Sequence, residues 1–541
     1  MKFVAFIFVV LLTLANAQDA SINWYNNNPD AEEFQISTAA DLRGLAALVN
    51  SSSPINFSGK TIKLASDIEL TGNWTPIGNY VSIKRLFRGI FDGQGYTISG
   101  LSVNGGDYAG LFGYVGEGGQ IKNVNIVAKN IKTATTSEVI IRYAGGLAAV
   151  YYSTEPIENC SVKADSIVSR AGFTSGSGGS GSGYSGGLVG YMGVYDSQDI
   201  TSIINSYASG NITGSGYGYI GSTSCQASSH GYGYGGGLVG RAENLSITNS
   251  YASGNIIGYG YAKTNTAVCS NRGYGYGGGL VGSAIGDIFI TNCYTSGNII
   301  GSGSNNGYGG GLVGYAGTTS NSTITNSYAS GNVTVNANTS YSGGIFGYFS
   351  SGTNVSLYYD SAGASLAVGD GPSTGILGVS SDALKEQATF IDWDFDDIWG
   401  IDEGVDYPFL KSLPPPPIAE SSSSSITLSS SSAEDNSSSS SESTPSSSSE
   451  NTPSSSSGGE TPIRLLQIAS SNQATQIHNG INLQVTRNAV VEIYGLDGKL
   501  IGKQNFGGGV YNVSLGYLPK GLYIVNASFG SEKKVLKVPV R

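Results

Sequence analysis

Asp199 and Glu243 each stand six residues before an asparagine that recurs at Asn205 and Asn249, and Asp287 stands five before its counterpart Asn292. If these segments stack at the spacing of adjacent β-strands, about 4.8 Å, three carboxylates share one column. Carboxylates that close repel, which raises one pKa or invites a cation, and a carboxyl pair is what glycosidic cleavage uses. The plainer reading is a turn whose acids point into water, since no Arg or Lys column accompanies them. Other catalytic chemistry is poorly supplied. The chain has two histidines, His230 in CQASSHGYGYGG with no acidic neighbour and His478 in the tail. Without H-E-x-x-H, neither a zinc peptidase site nor a Ser-His-Asp site is expected.

Binding chemistry is better represented. GYGYIGSTSCQASSHGYGYGG, GYGYAKTNTAVCSNRGYGYGG and GSGSNNGYGG carry Tyr217, Tyr219, Tyr232, Tyr234, Tyr259, Tyr261, Tyr274, Tyr276 and Tyr308. Tyrosine among Ser, Gly and Asn supplies flat contact area with adaptable hydrogen bonds, and a row of such rings on one edge of a linear scaffold suits an extended polysaccharide. The alternative is that the rings stack on one another to stiffen glycine-rich loops.

The elements that would position these residues are repeated. A Gly-Leu-Val/Phe-Gly phrase begins at Gly110, Gly146, Gly187, Gly237, Gly279, Gly311 and Gly344, and in the four best copies INSYASGNI, ITNSYASGNI, ITNCYTSGNI or ITNSYASGNV follows. A short apolar run bounded by glycines reads as a buried strand, and Ile-Thr-Asn-Ser-Tyr alternates with a period of two. Each unit is thus strand, turn, strand, turn and a variable loop. One unit cannot bury its own Leu/Val face, so units must stack. The expected fold is all-β: a right-handed parallel β-helix, or β-solenoid, followed by a small C-terminal antiparallel β-sandwich.

Stacking turns recurrent residues into ladders: Asn123, Asn159, Asn205, Asn249, Asn292 and Asn326; Tyr207, Tyr251, Tyr294 and Tyr328; Asn211, Asn255, Asn298 and Asn332. Such ladders hold rungs together by side-chain bonds. Cys225 and Cys269 each lie fifteen residues after the Gly of their SGN phrase, at the same point of adjacent units. Equivalent Cα atoms about 4.8 Å apart fall inside disulfide range, so this pair is expected to be bridged. Cys160 and Cys293 share the Ser position of NSY three units apart, and are expected to be unpaired, buried and inert.

The GGLVG and NSYASGN phrases resemble the GLUG repeat of bacterial secreted and surface proteins, which include adhesins and immunoglobulin-cleaving metallopeptidases. ISTAADLRGLAALVN, GKTIKLASDIEL, WTPIG and FRGIFDGQGYTISGLSV resemble the lead-in to such repeats, and the likeness runs from about Ile36 to Leu413. VEIYGLDGKLI and LPKGLYIV are similar to C-terminal sorting domains of type IX secretion substrates. That likeness implies passage across an outer membrane, and its alternative is a plain accessory sandwich.

The remaining segments fit export. Lys2, the apolar run from Phe3 and Ala15-Asn16-Ala17 form a signal peptide cleaved after Ala17. The expected order is signal peptide 1–17, N-terminal cap and first coils 18–109, seven repeats 110–354, a C-terminal solenoid cap 355–413, a disordered Pro/Ser-rich linker 414–460 and the sorting-type sandwich 461–541. Thr38 with Asp41 opens a helical cap. Trp393, Phe395, Ile398, Trp399 and Phe409 supply bulk to close the last rung. Asp392, Asp394, Asp396 and Asp397 would accommodate calcium or, more plainly, form the wet face of a half-buried strand. No other metal or cofactor is expected. With 12% charged residues and a net charge of −11 there is no basic surface for nucleic acid, and no run beyond the leader is long enough for an integral membrane segment. The expectation is therefore a protein secreted to, or displayed on, the outer surface of a Gram-negative bacterium, exported by the outer-membrane secretion machinery. As a non-enzymatic adhesin or glycan-binding protein it would engage an extracellular polysaccharide or cell-surface ligand. A polysaccharide lyase or glycosidase using the acidic column, and a structural spacer, are the alternatives.

Overall fold

The structure, a computed structural model, describes residues 20–80, 84–134, 141–175, 179–194, 198–220, 228–264, 271–416 and the strands between Gln473 and Val540. The expected leader, the expected linker beyond Pro416, and both Cys225 and Cys269 lie outside the described residues. The chain divides into two compact units at Pro416 and Pro417.

The first unit is a parallel β-helix. Among the described residues thirty strands join one sheet, and identical or similar residues face each other from coil to coil. Ile157, Ile203, Ile247, Ile290 and Ile324 form one such column; Val189, Val239, Val281, Val313 and Phe346 form another. All these side chains are buried, each contributing roughly 1.5–3 kcal/mol that an isolated coil could not collect.

The GGLVG phrase is the corner of the coil. Leu188, Leu238, Leu280 and Leu312 are fully buried, and their N–H groups donate to Leu238, Leu280, Leu312 and Ile345 carbonyls of the next coil at 2.8–2.9 Å. The ladder therefore continues through the bend. An added Cβ on Gly187, Gly237, Gly279 or Gly311 would collide with the backbone oxygen of the corresponding glycine one coil on. Coil-to-coil contact here is backbone on backbone.

The second phrase makes the opposite bend. Asn123, Asn159, Asn205, Asn249, Asn292 and Asn326 all adopt left-handed backbone, φ 47–53°, where an asparagine is tolerated better than most residues. The amides link coils: Asn159 Nδ2 donates to Asn123 Oδ1 at 2.9 Å and Asn292 Nδ2 to Asn249 Oδ1 at 3.1 Å. The outer ladder is continuous, with Asn255 to Asn211, Asn298 to Asn255 and Asn332 to Asn298 at 3.0–3.1 Å.

The start of the coil is covered by the helix Ala39–Val49, whose Leu42, Leu45, Ala46 and Val49 are buried. Thr38 Oγ1 accepts from the Asp41 N–H and Asp41 returns the bond, the expected capping box. The C-terminal aromatics behave differently from expectation. Instead of closing the last rung, they run back along the flank over Tyr207, Tyr251, Tyr294, Tyr328 and Tyr358. Tyr358 Oη accepts from Ile391 N–H at 3.1 Å, Tyr328 Oη donates to Pro408 O at 2.7 Å and Tyr251 Oη to Pro414 O at 2.8 Å. Ile391 to Ile398 forms turns, not the half-buried strand expected, because Asp394 Oδ1 accepts from the Asp396 and Asp397 N–H groups and bends the chain.

The variable loops also differ from expectation. They are strands, Tyr207–Ile220, Ser229–Gly236, Ile256–Thr264, Asn271–Gly278 and Ile299–Gly310. In the two largest coils the outgoing and returning strands lie against each other largely glycine to glycine: a Cβ on Gly214 or Gly216 would meet the Tyr234 or Tyr232 carbonyl, and one on Gly258 or Gly260 that of Tyr276 or Tyr274. The result is a two-layer fin with no side chains inside it there. Alternation then sends every tyrosine outward.

The second unit has two antiparallel sheets. One contains Gln473–Ile477, Gly480–Val485 and Gly509–Ser514; the other contains Leu500–Phe506, Ala489–Tyr494, Gly521–Phe529 and Glu532–Val540. Val491, Ile493, Tyr523, Val525, Ala527 and Val538 alternate inward, as the β-sandwich pattern predicts.

Candidate functional site

The fin divides the nine candidate tyrosines between two faces, so they do not share one edge. Tyr217, Tyr219, Tyr259 and Tyr261 stand on the outgoing strands, where Tyr217 pairs in register with Tyr261 and Tyr217 tilts over Tyr259 at 5.6 Å. Tyr261 is exposed. Tyr232, Tyr234, Tyr274, Tyr276 and Tyr308 stand on the returning strands. There Tyr234 and Tyr276 stack at 4.7 Å and 3°, Tyr276 and Tyr308 at 5.0 Å and 3°, and Tyr232 and Tyr274 at 5.3 Å and 5°.

The innermost column is longer than sequence reasoning found. Tyr108, Tyr143 and Tyr184 precede Tyr234, and Tyr341 follows Tyr308, each ring parallel to the next within 13°. The available signal was Tyr-x-Gly-Gly, present at Tyr143, Tyr184, Tyr234, Tyr276, Tyr308 and Tyr341. Tyr191 and Tyr315, just past the corner, meet this column edge-on, with Tyr308 and Tyr315 5.3 Å apart at 84°, and Tyr348 stacks on Tyr315. Tyr184, Tyr234 and Tyr308 are buried by these contacts, and Arg241 lies 5.8 Å from the Tyr234 ring centroid. Burial holds the Tyr232, Tyr234, Tyr276 and Tyr308 phenols above their ordinary range and Tyr259 at about 12, so these hydroxyls remain donors at neutral pH. Burial, then the Arg272 charge, lowers the His230 imidazole.

The acidic residues do not continue as a simple column. Asp199 is exposed. Glu243 lies 3.6 Å from Arg241 and stands opposite Ile285, with a register shift before Leu245. Asp287 is held by its N–H to Asn244 Oδ1 at 2.9 Å and accepts from Thr319 Oγ1. Asp287 stands one residue nearer its asparagine than Glu243 does, and the register shift leaves it off the position facing Glu243. Among the described residues no three His, Cys, Asp or Glu side chains gather as a metal site requires.

Cys160 and Cys293 occupy the buried serine column: Cys160 N–H donates to Ser206 Oγ at 3.0 Å and Cys293 N–H to Ser327 Oγ at 3.0 Å. Both are free, and burial pushes each thiol up to about 12. In a C225S/C269S chain, a thiol reagent at pH 8 should label neither residue natively and both after denaturation. Because the folded value exceeds the unfolded one of about 8.5, the stability tied to these thiols is complete below that pH and lost as pH rises toward 12. Native labelling at either position would show that it is accessible.

The GLUG motif family matches the chain at residues 231–257 and 305–334, in each case the returning fin strand, the corner and the asparagine bend. The chain therefore carries GLUG repeats. It is 29% identical over 172 residues to a protein of Evansella cellulosilytica named as a Gly-rich membrane protein, covering 30% of this chain and 18% of that one. It is 34% identical over 113 residues to halomucin of Haloquadratum walsbyi, covering 19% of this chain and 1% of halomucin. The chain thus spans a small part of both relatives. No solved structure matches it significantly. Among the described residues no helix is long and apolar enough to cross a membrane.

Proposed function

We propose that this GLUG-repeat chain is a secreted, surface-displayed protein without catalytic activity, whose fin binds extracellular polysaccharide and whose C-terminal unit serves the outer-membrane secretion machinery. One observation carries the binding reading: a glycine-rich interior leaves parallel tyrosine rows facing outward at the coil repeat. A membrane protein and a halomucin among its relatives agree with a surface setting. Binding is favoured over polysaccharide cleavage because Glu243 faces Ile285 and leans on Arg241, an arrangement unlike the facing carboxyl pair that glycosidic cleavage needs.

The full chain should be depleted from solution by one or more members of a panel of insoluble polysaccharides, without new reducing ends in the supernatant. Replacing Tyr232 and Tyr274 by alanine should weaken depletion about tenfold, given about 0.5–1.5 kcal/mol per aromatic contact, with melting largely unchanged. Depletion by no polysaccharide overturns the reading. Sugar release that D199N or E243Q abolishes would make the protein an enzyme, and depletion indifferent to the tyrosines would leave the fin a spacer.

A further inference from the structure

The returning strands of the fin carry three outward columns, and only the innermost is filled by tyrosine in every coil. The middle column runs Ser182, Tyr232, Tyr274, Asn306 and Thr339, and the outer one Ser180, His230 and Arg272. Parallel stacking uses up ring faces wherever a column is continuous. The Tyr232 and Tyr274 pair is a short ridge, and it ends where Asn306 follows Tyr274. Asn306 is shorter than a phenol, and its Nδ2 is drawn sideways to donate to Tyr308 Oη at 3.1 Å. Beyond it Thr339 is exposed.

This leaves a recess bounded on three sides. The Tyr274 ring, parallel to the coils' other tyrosines, forms the end wall. Asn306 and Thr339 form a polar floor. Tyr308 and Tyr341, stacked at 4.8 Å and 6°, line the inner side. On the outer side, two residues from Tyr274 on the same strand and therefore on the same face, stands the exposed Arg272. Arg272 has no carboxylate partner among the described residues, in a chain whose net charge is −11. Its neighbour across the strands is His230, which stays uncharged at neutral pH.

We infer that this recess is a subsite for one pyranose of an acidic polysaccharide, with the sugar's apolar face on Tyr274, its hydroxyls on Asn306 and Thr339 and its carboxylate on Arg272. The inference rests on the fin being a polysaccharide-binding surface and narrows the ligand to the acidic class. A flat ring face, short amide and hydroxyl groups and a planar guanidinium are the chemistries that a uronic acid requires.

Affinity electrophoresis of the full chain in gels containing polygalacturonate, or the same polymer fully methyl-esterified, tests this directly. The charged polymer should bind about tenfold more tightly, the scale of a charge-assisted hydrogen bond. Arg272→Gln should erase that preference while leaving binding to the ester, and Tyr274→Ala should weaken both. Equal retardation by the two polymers, or a preference that survives Arg272→Gln, overturns the acidic subsite. If insoluble neutral polysaccharides still deplete the protein, the broader reading stands without it; if nothing binds, both fall. Arg272 is exposed, so unchanged melting of Arg272→Gln is the expected control for folding.

Discussion

Gly237→Ala is expected to abolish cooperative thermal unfolding of the solenoid, whereas Gly172→Ala should shift its melting only slightly. The two glycines lie in similar coils, but their surroundings differ. A Cβ on Gly237 would enter the Gly279 carbonyl oxygen and crowd Ala252 Cβ, whereas one on Gly172 would meet nothing within 4 Å. The obstacle at Gly237 is backbone already committed to the coil-to-coil ladder, since Leu238 N–H donates to Leu280 O at 2.8 Å. It cannot yield by a rotamer change. Relieving the clash means separating two coils, which exposes the Leu and Val columns on both sides, and the expected cost is more than about 4 kcal/mol. In a repeat array the damage passes to neighbouring interfaces. Circular dichroism melts of the two variants check this; a Gly237→Ala chain melting within a few degrees of the parent would show that the corner can open.

Tyr328→Ala should cost about 3–5 kcal/mol, the range for removing a large buried aromatic, and should free the flank segment as well. Tyr328 is 1% exposed. It stacks on Tyr294 at 5.2 Å and contacts Phe390, Trp393 and Trp399 at 6.2–6.3 Å. Its hydroxyl also meets Pro408 O at 2.7 Å. Tyr328→Phe keeps the ring and forfeits only that bond, at about 1–3 kcal/mol for a buried carbonyl left unpaired. Limited proteolysis separates the two effects. Cleavage between residues 383 and 413 should appear early in Tyr328→Ala and hardly at all in Tyr328→Phe. Equal protection in both variants would mean that the segment is held by its other contacts.

The asparagine and corner columns were legible in the sequence because each depends on one residue type at one backbone conformation, so recurrence in sequence is recurrence in space. Cys160 and Cys293 were placed correctly for the same reason, by standing where NSY has serine. The fin was not legible as strands. Gly-Tyr alternation lacks the β-branched residues that mark a strand, and glycine weakens an isolated one; the pairing is imposed by the coil above and the coil below. Nor could the sequence show where Trp393 and Trp399 go, since apolar bulk specifies burial without specifying a partner. The acidic residues misled for a third reason. Counting from the asparagine assumes unbroken register, and the ladder shifts between Glu243 and Leu245. Of the candidate tyrosines, the types and the Gly-Tyr spacing were visible, but their division between two faces follows from the glycine contact alone.

The fin is also where the protein changes in length. Successive tyrosines of the NSY column lie 44, 43 and 34 residues apart, so coils of very different size share one core and the surplus is placed in the fin. From Ile212 to Tyr234, Ile256 to Tyr276, Ile299 to Tyr308 and Val333 to Tyr341 the chain advances 22, 20, 9 and 8 residues, yet both ends stay in register from coil to coil, so the fin is shortened by odd as well as even numbers of residues while its tyrosines keep their face.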